Sequence, residues 1–199
     1  MADEIADLSS YEKYLLMRVI HASGDFSLHK LARYSEDFIE SGINAIKQRD
    51  KVVVDVCMTY CGIYTRAKSL DLKVYVASLI PKSVNSAYSK LLHGLNELLE
   101  REGNVVSNAF IVVGNSPIFL TKLNELVEQG VVKPSVIIGC PVGFVNAAEA
   151  KSKLEQLNVP YFTIRGSRGG SAVASAAFNA LVDMAIGRAE KILKEVVSF

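Results

Sequence analysis

Little in this chain speaks for a secreted, membrane-bound or nucleic-acid-binding protein. Cysteine is scarce. Three occur among 199 residues with no even pairing pattern, which argues for a reducing cytoplasm and against a disulfide scaffold. No apolar run reaches the roughly 20 residues that a bilayer helix needs. The uncharged stretch from Gly169 to Val182 is too short and too rich in small residues to do so. Met1 to Asp7 is acidic and lacks an apolar segment, so no signal peptide is expected. An excess of one charge is also missing. Lys and Arg number 22 against 21 Asp and Glu, a net charge of +1, and no basic block is long enough for a nucleic-acid footprint. No Lys-Ser/Thr pair closes a Walker loop, and no glycine spacing matches a dinucleotide fingerprint. Cys57 and Cys61 lie four apart, but with Cys140 they fall short of the four spaced ligands that zinc prefers. Buried structural thiols and no metal are the expectation.

What is present is an ordinary globular composition, 50% hydrophobic and 22% charged, long enough for one domain over residues 1–199 with a sizeable core. Residues 9–21 and 35–48 read as helices, with Gly24 placed to cap the first. Residues 51–56 form a continuous apolar strand, and 72–77 alternate as an edge strand would. Residues 84–101 carry leucines at three- and four-residue steps along one helix face. Three strand–turn–helix units follow, over 109–130, 135–157 and 160–196. Their strands are apolar throughout, which suits burial on both sides. The fold expected is α/β: a single domain with a mostly parallel sheet and helices on both faces.

Four of the strands end in small, polar or glycine-rich turns: Asp55-Val56-Cys57-Met58, Gly114-Asn115-Ser116-Pro117, Cys140-Pro141-Val142-Gly143-Phe144-Val145, and Arg165 through Ser171. Parallel strands would bring all four to the carboxyl edge of the sheet, where open α/β sheets bind ligands. In the second turn Asn115 or Ser116 can cap the helix, Pro117 fits its first turn, and free N–H groups would attract a carboxylate or phosphate. In the third, Gly143 permits close approach and Phe144 with Val145 offers apolar contact. In the fourth, Arg165 and Arg168 stand among glycines and can fork onto carboxylates. The small residues that follow, Ser171 to Ala177, allow close helix packing against the sheet or another subunit. Each turn also has a plain structural reading: a well-capped βα connection or a solvated glycine turn. His21 closes the first helix, whose negative end favours a protonated imidazole, and Asp25 would add to this if it turned back toward the ring. A histidine there is a candidate proton donor or a structural residue. His29 and His93 read as surface residues.

Taken together and in order, these stretches resemble the precorrin-8X (cobalt-precorrin-8) methylmutase family of cobalamin biosynthesis. The resemblance rests on Arg18 to Asp25, Asp55 to Met58 with Gly62-Ile63, the Gly114 turn, Ile138 to Val145, and Arg165 to Ser171, and covers most of residues 18–180. It implies an α/β homodimer with its site near the subunit interface. It also implies a cofactor-free isomerase that moves a methyl group from carbon 11 to carbon 12 of a tetrapyrrole, with His21 as proton donor. The candidate substrate-binding residues are Asp55 and Met58; Gly114, Asn115 and Ser116; Pro141, Val142, Gly143 and Phe144; and Arg165, Arg168, Gly169 and Ser171. A flat macrocycle fringed with carboxylates suits this mixture of apolar and cationic groups. The family's Ser-containing segment before the histidine helix is shorter here, and residues 78–104 do not match its Thr-Arg-Ser stretch, so contacts from those parts are not carried over. A non-catalytic corrinoid carrier and an unrelated phosphate-binding enzyme are the alternatives.

Overall fold

The computed structural model describes residues 8–80, 87–101 and 104–197. Among the described residues six strands form one sheet: β1 (Ala32–Tyr34), β2 (Val52–Val54), β3 (Val74–Val76), β4 (Phe110–Val113), β5 (Val136–Gly139) and β6 (Tyr161–Ile164), in the order β1-β6-β5-β4-β2-β3. All neighbours are parallel except β1, which runs antiparallel to β6. The α/β expectation therefore holds, and β3 is the edge strand that its alternation suggested. The chain steps outward from β2 to β3, crosses back over β2 to β4, then proceeds through β5 to β6. The direction of winding thus reverses between β2 and β4, the kind of switch point where such sheets open a crevice at their carboxyl edge.

Both faces are apolar because both are covered. Val52, Val54, Phe110, Val112, Val136 and Ile138 face the first side. There they meet α1 (Ser10–Ser23), α3 (Phe38–Lys47), α4 (Cys57–Ser69) and α8 (Ser171–Ala185). Val53, Ile111, Val113 and Ile137 face the other side, against α5 (Ala87–Glu100), α6 (Pro117–Glu128) and α7 (Ala147–Leu154). The first three residues of the helix expected from 84 lie outside the described residues.

Helix α8 is the axis of the first side, buried along almost its whole length. Its small residues let α4 come so close that a Cβ on Gly62 would sit 2.3 Å from Ser175 Oγ. The small-residue stretch is therefore used inside the protomer, and it gives no support to a second subunit. Lower down, fully buried Asp183 accepts from Tyr14 Oη at 3.0 Å and lies 3.0 Å from Arg66 Nε, which ties α1 and α4 to α8. After Gly187 the chain continues as α9 (Arg188–Val197), so the single terminal helix expected is two.

Helix α1 is well specified locally. Ser9 Oγ accepts from the Glu12 N–H while a Glu12 carboxylate oxygen accepts from the Ser9 N–H, a reciprocal capping box. Gly24, at φ 66°, ends the helix in the left-handed conformation, as its position suggested. A short α2 (Leu28–Leu31) then leads into β1.

Gly94 on α5 faces the short 3₁₀ turn Ala77–Leu79, and a Cβ there would lie 2.0 Å from the Ala77 carbonyl oxygen. Alanine gains about 1 kcal/mol of helix propensity. Forcing a methyl against fixed backbone costs about 1–3 kcal/mol and wins. Gly94→Ala is expected to lower unfolding free energy in urea by up to about 2 kcal/mol; an increase would contradict this packing.

Candidate active site

The four turns do meet at one edge, since β6, β5, β4 and β2 are adjacent and parallel. The antiparallel β1 brings a fifth segment to the same place. Ala32 pairs with Ile164 at the carboxyl end of β6, and the Arg165 N–H donates to the Leu31 carbonyl at 2.9 Å. The loop after α1, which carries Asp25 and follows His21, is thereby delivered to the rim.

At the switch point itself stands Asp55, wholly buried at the end of β2. One carboxylate oxygen accepts from the Val56 N–H at 2.9 Å and from Thr59 Oγ1 at 2.8 Å. The other accepts from the N–H groups of Asn115 and Ser116 at 2.7 and 2.8 Å. Thr59 Oγ1 lies 3.0 Å from Ser171 Oγ at the start of α8. Gly114 is packed so closely here that a Cβ would meet the Ser171 Cα at 2.6 Å. The N–H groups expected to draw an external carboxylate are thus already held by an internal one, and Asp55 and Ser171 face each other's neighbours rather than solvent. Ser116 caps α6 as its position suggested, accepting from the Phe119 N–H at 3.2 Å. The Asn115 side chain remains exposed.

The rim above this plug is apolar. Phe144 is 97% exposed, Val145 75% and Met58 67%, and Val142 is exposed as well, as is Phe26 on the α1–α2 loop. Beneath, the last two turns are zipped together. The Gly143 N–H donates to the Ser167 carbonyl at 3.0 Å, and the Gly170 N–H to the Cys140 carbonyl at 2.7 Å. Gly169, at φ 141°, lets the turn pass directly over that carbonyl, where a Cβ would be 2.4 Å away. Pro141 is buried under the same crossing.

The two arginines diverge. Arg165 forks onto Glu155 through Nε at 2.9 and 3.0 Å and Nη2 at 2.5 Å, away from its neighbour. Arg168 reaches across to the α1–α2 loop, where Nη1 donates to Asp25 Oδ2 at 2.9 Å and to Ser27 Oγ. The Ser27 hydroxyl and N–H, and then Arg168, hold the Asp25 carboxyl below the usual aspartate range. Asp25 therefore turns to Arg168, not back to His21. Both bonds of Arg168 use Nη1, leaving the donors of Nη2 and Nε pointing elsewhere on a half-exposed side chain.

His21 is exposed in the last turn of α1. It borders a groove of about 330 Å³ with Leu16, Met17, Ile20, Phe26 and His29. His29, read from sequence as a surface residue, is half-buried in this groove with Nδ1 2.5 Å from the Phe26 carbonyl. His93 is exposed as expected. Of the cysteines only Cys140 is buried, with its thiol pushed up to about 12 by desolvation; Cys57 is half-buried and Cys61 exposed, contrary to expectation.

Phe26, Thr59 and Lys151 escaped the sequence reading, and His29 was misplaced by it. Lys151 left a usable signal: it stands in the stripe Ala147, Ala150, Lys151, Leu154, a lysine at a core position of α7.

Comparison with known proteins bears on the family and the fold. A family model for precorrin-8X methylmutase matches residues 1–184. The cobalt-precorrin-8 methylmutase of Priestia megaterium is 35% identical over 179 residues, which cover 85% of this chain and 76% of that protein. The precorrin-8X methylmutase of Pseudomonas aeruginosa is 35% identical over 170 residues, covering 84% and 81%. The crystal structure of precorrin-8x methyl mutase from Thermus thermophilus matches with a TM-score of 0.82 at 32% identity, covering 94% of this chain and 93% of that one.

The Asp55 latch has a stability consequence. Asp55→Ala leaves three buried or half-buried N–H groups and a hydroxyl without their acceptor, and is expected to cost about 3–5 kcal/mol in urea unfolding. Asp55→Asn, which keeps one acceptor oxygen, should lose less. A cost below about 1 kcal/mol for the alanine variant would show that the latch is not what holds the turns.

Proposed function

The chain belongs to the precorrin-8X methylmutase family, and on that premise we propose that it moves a methyl group from carbon 11 to carbon 12 of precorrin-8 or cobalt-precorrin-8. The product is hydrogenobyrinate or cobyrinate. Residues 1–199 act as one catalytic domain, in the cytoplasm, where three free thiols are stable.

The observation that carries this reading is His21, solvent-accessible at the mouth of an apolar groove and one loop away from the Arg168–Asp25 pair. The groove and the exposed rim formed by Met58, Val142, Phe144 and Val145 suit the face of a macrocycle. Arg168, through its remaining donors, and the Asn115 side chain suit carboxylates around its edge. Arg165 contributes by anchoring α7 through Glu155, and Asp55, Gly114, Ser116, Pro141, Gly143, Gly169 and Ser171 by shaping the turns. Substrate and product are isomers, so no redox partner or group donor is called for. His21 protonates the ring to ease the shift; a proton then leaves from another ring position, and the imidazole is restored. A positioned acid contributes about 10²–10⁴-fold. We place a second copy of the chain over this groove, as the family resemblance implies.

Two measurements test this. Conversion of precorrin-8 and its cobalt form is followed by visible absorption: the wild type is expected to turn over at least one of them, and His21→Ala to lose about 10²–10⁴-fold in kcat while still binding product. Full turnover by His21→Ala would remove the histidine from its role, and binding without conversion by the wild type would favour a carrier. Light scattering should give a mass near twice 21.7 kDa; a value near 21.7 kDa would contradict the dimer.

A further inference from the structure

We propose that Lys151 is a positioning residue for Arg168: its buried ammonium grips the Arg168 carbonyl and so sets the turn that aims the guanidinium at the substrate. This rests on the reading above, in which Arg168 receives a substrate carboxylate.

Lys151 has no accessible surface. It stems from the core-facing stripe of α7, on the opposite side of the sheet from α1 and α8, and runs under the turn that begins at Arg165. Its Nζ donates to the Arg168 carbonyl at 2.6 Å. Among the described residues no carboxylate pairs with it; the neighbouring titratable group is the thiol of Cys140. Burial accordingly lowers its pKa. An ammonium out of water without a counter-ion is unfavourable, and an apolar chain of the same length would suit the site better. Stability therefore does not account for a lysine here.

Its hydrogen bond to the Arg168 carbonyl does. The turn contains Gly166, Gly169 and Gly170 at φ 77°, 141° and 111°, and glycines leave a backbone loosely determined. Two backbone bonds fasten it on either side of Arg168, at Ser167 and Gly170. Lys151 acts at residue 168 itself. The same residue then holds Asp25 and Ser27, so one buried amine on α7 is linked, through one peptide unit, to the loop that follows His21.

The test is a double-mutant cycle read in hydrogenobyrinic acid affinity and in KM. Lys151→Met keeps the stem and removes the donor. It is expected to weaken product binding and raise KM about tenfold, with a smaller change in kcat and a melting temperature equal to or above that of the wild type. If Lys151 acts through Arg168, Lys151→Met adds nothing to Arg168→Ala, and the double variant binds like Arg168→Ala alone. Additive losses, or wild-type binding by Lys151→Met, would overturn the proposal. So would failure of both Lys151→Met and Lys151→Gln to fold, which would make the lysine purely structural. Wild-type binding by Arg168→Ala is a distinct result: it would overturn the assignment of Arg168 on which the proposal rests.

Discussion

The carboxylate of Asp55 decides what the rest of this structure can be. An open parallel sheet presents its ligand crevice where the winding reverses, and here that place lies between β2 and β4. The N–H groups at the start of α6 are the usual reason that an anion settles there. In this chain Asp55 supplies the anion from within, with four hydrogen bonds that join β2, α4 and the β4–α6 turn, and with Thr59 extending the contact to α8. The crevice becomes a fastening. Functional groups must then act from above it, on side chains that project from the rim.

That displacement explains the character of the site. The rim carries exposed apolar residues, Phe144 above all, which a soluble turn would otherwise avoid. The antiparallel β1 brings the α1–α2 loop to the same edge, and Arg168 bridges to it through Asp25 and Ser27. The proposed ligand, wide, flat and fringed with carboxylates, suits such a surface: apolar contact over its area, the Arg168 guanidinium at its border, and His21 at the side. Family membership over residues 1–184 points to the same chemistry.

The sequence was most legible where one residue's environment is local. Continuous apolar strands implied burial on two faces, and the four polar turns implied a shared edge. Gly24, and Ser116 with Pro117, marked helix ends through short-range geometry that spacing alone specifies; the Ser9–Glu12 capping box, equally local, went unread. Legibility failed where partners are distant in sequence. Three residues, Ala-Arg-Tyr, give β1 no periodicity, yet pairing with β6 makes them a strand. Helix α4 buries a stripe of only Thr59, Ile63 and Ala67, too weakly apolar to announce itself. The Asn115 and Ser116 N–H groups looked free because their acceptor is about sixty residues away. The divergence of Arg165 from Arg168 depends on Glu155 in one case and Asp25 in the other. Small residues after Ser171 implied close packing against the sheet or another subunit; α8 does lie on the sheet, but its other partners are α1, α3 and α4 of the same chain.

The most direct measurement is a crystal structure with hydrogenobyrinic acid bound. The account predicts a macrocycle lying on the rim, its edge within hydrogen-bonding reach of His21 and a carboxylate on Arg168, with Asp55 still accepting from Asn115 and Ser116. A ligand carboxylate seated on those two N–H groups, with Asp55 displaced, would contradict it.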